Sequence, residues 1–222
     1  MTVTAPTVTA SPARLWDISQ PLRPGLPVWP GDTAFGEERT WSIQPGCPVN
    51  VSRLVMSTHS GTHVDAPLHY DATGLTAGAL DLAPYLGPAQ VITVPPGAPF
   101  ATADHVVPHW RPGVPRLLLH SYDRFPHEAW RSDYTAIDPA LIDWLAGQGG
   151  VLLGTDAPSL DPQDSKDLPA HTMLNRHRLA VLEGLVLDAV PDGIYELIAL
   201  PLPLSNADAS PVRAVLREWP QR

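Results

Sequence analysis

Proline occupies 27 of the 222 positions, about 12% against a usual share near 5%. Inside a helix a proline removes a main-chain donor and its ring clashes with the carbonyl four residues back. Prolines scattered this evenly leave room for few long helices. They sit among apolar runs and not in one tract, and glycine is ordinary at 16 residues, so the chain reads as a turn-rich compact fold, not a linker.

Short runs with strand character, bounded by Pro, Gly and Asp, recur at 14–18, 27–29, 38–43, 50–57, 89–94, 116–120, 151–154, 195–200 and 212–217. One helix is well marked. Asp138 serves as its N-cap, Pro139 opens it, Leu141, Ile142 and Leu145 share a face, and Gly147 with Gly149 and Gly150 ends it. Strand 116–120, this helix and the apolar run after it predict a βαβ unit with parallel strands. A second helix is expected over 169–178. The fold class is α/β or α+β with strands dominating, in a single domain over 14–222 behind a disordered tail over 1–13.

Lys and Arg number 14 against 23 Asp and Glu, a net charge of −9, and no basic stripe appears, which argues against nucleic acid as a partner. The longest apolar run, 197–204, is broken by Pro201 and Pro203 and is far shorter than the roughly 20 residues of a membrane helix. The first fourteen residues lack the basic and apolar regions of a secretory signal. The single cysteine, Cys47, excludes an internal disulfide and fits a reducing compartment, so a cytoplasmic protein is expected. Cys47 itself reads as a buried, inert thiol.

The chemistry concentrates in 59–69, where His59, His63, Asp65 and His69 fall within eleven residues after a strand. His59 and His63 are four apart, as in helical zinc sites. However, Gly61 lies between them, no Glu follows the first, and Pro67 comes soon after, so the segment reads as a loop. Gly61 lets the backbone fold tightly enough for His59, His63 and Asp65 to converge, and Pro67 holds the exit so that His69 returns to the same cavity. Two nitrogens and an oxygen suit zinc, manganese or iron. A closed structural zinc site would favour cysteine, which this chain lacks here, so an open catalytic site is expected. Trp29 either lines an aryl pocket or is an ordinary core or surface tryptophan. The pattern G-x-S-x-G is absent, so Asp156, Ser159 and Asp161 do not read as part of a nucleophile elbow, and orientation of imidazoles is their expected role. His105, His109, His120, His127 and His177 read as surface or structural.

The pattern H-x-G-T-H-x-D-x-P-x-H over 59–69 resembles that of the metal-dependent cyclase family, which includes bacterial-type kynurenine formamidases (arylformamidases). The likeness continues through Gly154-Thr155-Asp156-Ala157-Pro158-Ser159-Leu160-Asp161, His171, Glu183 and the stretches 195–202 and 209–214. The resemblance implies a β-rich α/β domain of the family's swivelling β/β/α type. It implies two zinc ions per subunit, with manganese as an alternative: His59, His63 and Asp65 on the first, and Asp65, His171 and Glu183 on the second. It makes His69 the acid/base catalyst and the chain a homodimer. The implied reaction is hydrolysis of N-formyl-L-kynurenine to L-kynurenine and formate, in tryptophan degradation, by a dinuclear metal-bound hydroxide. Hydrolysis of a related lactam such as isatin, or metal binding without turnover, are the alternatives.

Overall fold

The computed structural model describes residues 13–219. The tail expected over 1–13 lies outside the described residues except for Ala13. In chain order the strands are β1 (Leu15–Asp17), β2 (Gly36–Trp41), β3 (Val51–Val55), β4 (His63–Asp65), β5 (Leu86–Thr93), β6 (Phe100–Ala101), β7 (Arg116–His120), β8 (Ala136–Ile137), β9 (Leu152–Thr155), β10 (Ala180–Leu182), β11 (Gly193–Ile198), β12 (Ala209–Pro211) and β13 (Val215–Glu218). The α-helices are α1 (Ala103–Val106), α2 (Pro139–Gly147) and α3 (Pro169–His177).

Seven strands form one sheet in the order β1-β13-β11-β5-β7-β9-β10. It is antiparallel from β1 to β5 and parallel from β5 to β10. The parallel strands are covered on both faces, which is why β7 reads as an unbroken Leu117-Leu118-Leu119 run. Successive side chains point to opposite faces. Leu117 and Leu119 join Ile92, Leu153 and Val181 beneath Leu141, Ile142 and Leu145 of α2 and Leu174 of α3. Leu118 joins Val91, Leu152, Leu182, Leu197 and Leu216 on the other face. Truncating any of these fully buried leucines to alanine would cost about 2–5 kcal/mol.

The expected βαβ unit is present as β7, α2 and β9, with β7 and β9 parallel. Asp138 caps α2 by accepting the Ala140 N–H at 2.9 Å. A second unit, β9, α3 and β10, follows directly. The run 27–29 is not a strand: it leads into a turn closed by the Asp32 N–H on the Trp29 carbonyl at 2.9 Å. Pro27 and Pro30 each lack the N–H that a ladder needs.

Strands β2 and β3 pair only with each other, apart from the main sheet, and expose apolar side chains, Trp41 at 60% and Leu54 at 55%. Among the described residues no helix is long and apolar enough to cross a membrane.

The carboxyl ends of the parallel strands face one region. Glu183 follows β10, Asp156 to Asp161 follow β9, and a loop over 121–135 follows β7. Such an edge is the usual ligand-binding position of open α/β sheets.

Candidate metal centre

Strand β4 carries His63 and Asp65 and is held from both sides. It pairs with β12, Asp65 opposite Ala209 and His63 opposite Pro211, and on its other side His63 forms an antiparallel bridge with Glu183. Two glycines permit this approach. Gly61 and Gly184 have φ of +70° and +64°, and a Cβ on Gly184 would lie 2.8 Å from the Gly61 carbonyl oxygen. The tight turn expected at Gly61 is thus present, and β4 begins within the segment read as a loop.

Asp65 is buried and presents each oxygen to a different group. Oδ1 lies 3.0 Å from His59 Nδ1 and 3.3 Å from His63 Nε2, whereas Oδ2 lies 3.5 Å from His171 Nε2. Glu183, also buried, reaches His63 Nε2 at 3.4 Å through Oε2 and His171 Nε2 at 3.5 Å through Oε1. All five residues expected as ligands are therefore gathered in one place.

Each imidazole is oriented through its other nitrogen. The Gly61 carbonyl takes the His63 Nδ1 proton at 3.0 Å. Asp161 Oδ2 sits 2.6 Å from His171 Nδ1, and the same carboxylate accepts the Ala170 and His171 main-chain N–H groups at the start of α3. Asp208 Oδ2 lies 3.2 Å from His59 Nε2, its other oxygen accepting the Thr58 hydroxyl at 2.9 Å. Such partners fix the tautomer that leaves the inward nitrogen free to bind a cation.

Four of the inward atoms, His63 Nε2, both Asp65 oxygens and His171 Nε2, are buried without a hydrogen-bond partner. Unpaired buried polar atoms are costly, and here they converge. Two ligands held at about 2.0–2.2 Å by a tetrahedral ion stand roughly 3.3 Å apart, which matches the spacings above. The donor set thus fits divalent cations. His59, His63 and Asp65 offer ligand atoms within 4.8 Å of one another, as do Asp65, His69 and His171, and His59, His69 and Asp208.

The electrostatics agree. Burial alone would lower the imidazole pKa values, but the facing carboxylates outweigh it, taking His63 up to about 10 and His171 up to about 12. Burial pushes Asp65 up, yet the three imidazoles around it hold it well below the usual carboxylate range. Without a metal the carboxylates recruit protons onto the histidines; a cation would take their place.

His69 closes the short turn Pro67–His69 and stays more exposed. Its ring stands 4.2 Å from that of His59 and 6.0 Å from that of His171, and its Nδ1 is 3.7 Å from Asp208 Oδ2. A cavity of about 360 Å³ opens over these histidines, lined also by Trp29, Tyr122, Phe125 and Trp130. Trp29 meets Trp130 edge to face at 5.3 Å.

Two elements of this site escape sequence reasoning. Asp208 arrives only through the pairing of β12 with β4. The aromatic loop carried a signal, since fifteen residues between β7 and β8 exceed a simple connection, and such loops are usually functional. Asp156 does not orient an imidazole: it accepts the Ser121 and Tyr122 N–H groups at 2.7 and 2.9 Å and so anchors that loop. Asp161, expected in the same role, does orient one, that of His171. His177 lies outside the cluster, 2.8 Å from exposed Asp143. Cys47 is partly exposed between β2 and β3, not buried as expected.

Comparison with known proteins gives a consistent set. The model of the putative cyclase family matches residues 16–162. The kynurenine formamidase of Erythrobacter litoralis (strain HTCC2594) is 53% identical over 211 residues, 95% of this chain and 96% of that protein. A potential metal-dependent hydrolase with cyclase activity superposes with a TM-score of 0.79 at 27% identity, covering 94% of this chain and 99% of that one. An isatin hydrolase bound to a product analogue, thioisatinate, shares the fold with a TM-score of 0.80 at 23% identity, covering 94% and 93%.

Proposed function

The chain belongs to the cyclase family, and from that membership we propose that it is a metal-dependent kynurenine formamidase, hydrolysing N-formyl-L-kynurenine to L-kynurenine and formate. The observation that carries this reading is the convergence of the unpartnered buried atoms of His63, Asp65 and His171 beneath an aromatic-walled cavity. The identity to a kynurenine formamidase over nearly the full length of both chains supports the substrate.

His59, His63 and Asp65 would hold one divalent cation, and Asp65, His171 and Glu183 a second. Zinc suits this N/O donor set, and manganese is the alternative. When bound, such cations supply Lewis acidity at neutral pH.

The protein's own residues supply the rest. His69, at the cavity and outside the most buried part of the cluster, takes a proton from the attacking water and returns it to the leaving aryl nitrogen. Asp208, shared between His59 and His69, keeps the two rings in register. Trp29 and Trp130 provide apolar wall for an aryl group. One water is consumed: its oxygen enters formate, and the nitrogen leaves as the aromatic amine.

We place the enzyme in the cytoplasm on its lone cysteine, as a homodimer. An isolated two-stranded ribbon is marginal in water, and Trp41, Val51 and Val55, exposed on one face of the β2–β3 ribbon by its register, suit a second copy of the chain.

The deciding experiment follows kynurenine release by chelator-stripped protein before and after one and two equivalents of zinc. Turnover that needs metal and peaks near two equivalents supports the dinuclear formamidase. Isatin cleaved in preference to formylkynurenine transfers the assignment to lactam hydrolysis. Metal uptake without turnover on either leaves a metal-binding protein.

A further inference from the structure

The cavity carries charges that hydrolysis of a formamide does not need. Arg131 is the sole Lys or Arg lining it among the described residues. Of its acidic residues, Glu183 belongs to the metal cluster and Asp156 is consumed by the Ser121 and Tyr122 main chain, which leaves Asp32.

The two charges line the same cavity, each beside one of two packed tryptophans. The Asp32 N–H closes its turn on the Trp29 carbonyl at 2.9 Å, and Gly31, with φ of +91°, permits that turn. Trp29 packs edge to face on Trp130 at 5.3 Å, and Arg131 follows Trp130 in the chain. An acid next to one tryptophan and a base next to the other thus flank the same aromatic pair.

Arg131 is also held ready. Its Nε and Nη2 donate to the two oxygens of Asp133 at 2.7 and 2.6 Å, which fixes the guanidinium plane and leaves Nη1 free. Asp32 Oδ1 accepts the Thr33 N–H at 2.6 Å, and among the described residues Oδ2 has no donor.

We propose that Asp32 and Arg131 recognise a zwitterionic α-amino-acid end on the substrate, the ammonium at Asp32 and the carboxylate at Arg131, while its aryl ring lies against the tryptophans. The inference rests on the formamidase reading and adds selectivity: among aryl formamides, the site prefers those ending in an amino acid. Paired opposite charges match a zwitterion, whereas a neutral amide or lactam gains nothing from them.

The test compares N-formyl-L-kynurenine with N-formylaniline, which has the scissile bond and no amino-acid end. The side chain of Arg131 is 52% exposed, so Arg131→Ala should fold normally. For formylkynurenine KM should rise about tenfold or more, as expected for loss of a charge-assisted contact, with kcat within about twofold. For N-formylaniline both constants should stay within about twofold. Asp32→Asn should follow the same split. Unchanged KM for formylkynurenine, or equal losses on both substrates, overturns the proposal.

Should the wild type cleave neither compound, the formamidase reading fails separately. Calorimetric binding of L-kynurenine against 2-aminoacetophenone then reads the charged rim without turnover. A wild-type preference for kynurenine that Arg131→Ala abolishes supports the rim, and no preference overturns it.

Discussion

His63 and Glu183, far apart in sequence, exchange both of their main-chain hydrogen bonds, the His63 N–H with the Glu183 carbonyl at 3.2 Å and the reverse at 3.0 Å. Their side chains therefore emerge together, 3.4 Å apart. Because the main chain sets this position, Glu183→Gln should keep the fold and lose one charged ligand. On the proposed dinuclear reading, one of two metal equivalents should be lost selectively, with turnover down about a hundredfold or more. Metal analysis of the purified variant checks this, and two retained equivalents with full activity sink the dinuclear assignment.

His69 sits within ligand reach of two groupings, with Asp65 and His171 and with His59 and Asp208, so its role is open to a direct test. As the acid/base catalyst, His69→Ala should retain both metals and lose turnover by about 10²–10⁴-fold. Loss of metal would make it a ligand instead. His177→Ala is the control: its partner is exposed Asp143, and both metal content and turnover should hold.

Asp161 both starts α3 and fixes the tautomer of His171. Asp161→Asn keeps one acceptor oxygen for the Ala170 N–H and removes the charge facing His171 Nδ1. The variant should fold, with metal affinity lower by about 10–100-fold, measured by competition with a chromogenic chelator. Unchanged affinity would assign Asp161 to capping alone.

The central strands were legible because they are continuous apolar runs, and α2 because its cap, proline and glycines mark both ends. Strands β4, β6, β8, β10 and β12 span only two or three residues, too few for any period to register. The 59–69 motif was legible because its members are contiguous. His171 and Glu183 were reachable only through the family resemblance, although the helix explains the choice once seen. His177 is six residues on, about 240° around the axis at 3.6 residues per turn, so it cannot share the buried face of His171. Asp208 had no local signal because a distant pairing, β12 on β4, brings it in.

The β2–β3 ribbon gives the proposed homodimer its test. Trp41 and Val55 share a face of the ribbon and are exposed in one chain, so replacing them with glutamate should cost the monomer little while opposing burial in a dimer. Light scattering should give twice the chain mass for the wild type and the single mass for Trp41→Glu with Val55→Glu. A monomeric wild type, or a double variant that remains dimeric, refutes this interface.

Metal removal should make stability depend on pH in a defined direction. His63 and His171 have pKa values raised to about 10 and 12 in the folded, metal-free protein from about 6.5 unfolded. A group raised by folding stabilises fully below its unfolded pKa and loses that contribution as pH climbs through the folded value. Chelator-treated protein should therefore show a Tm that falls from about pH 7 upward, through about pH 10 for His63 and on to about pH 12 for His171. Asp65 and Glu183 are depressed by the same contacts, so their contribution is lost in the opposite direction, on acidification below the ordinary carboxylate range. A bound cation replaces the two protons as the partner of the carboxylates. Metal-loaded protein should hold its Tm across the alkaline range, and its apparent metal affinity should rise with pH as proton competition fades. Scanning calorimetry with and without chelator makes the comparison, and a flat Tm in the metal-free protein would contradict the coupling of these imidazoles to Asp65 and Glu183.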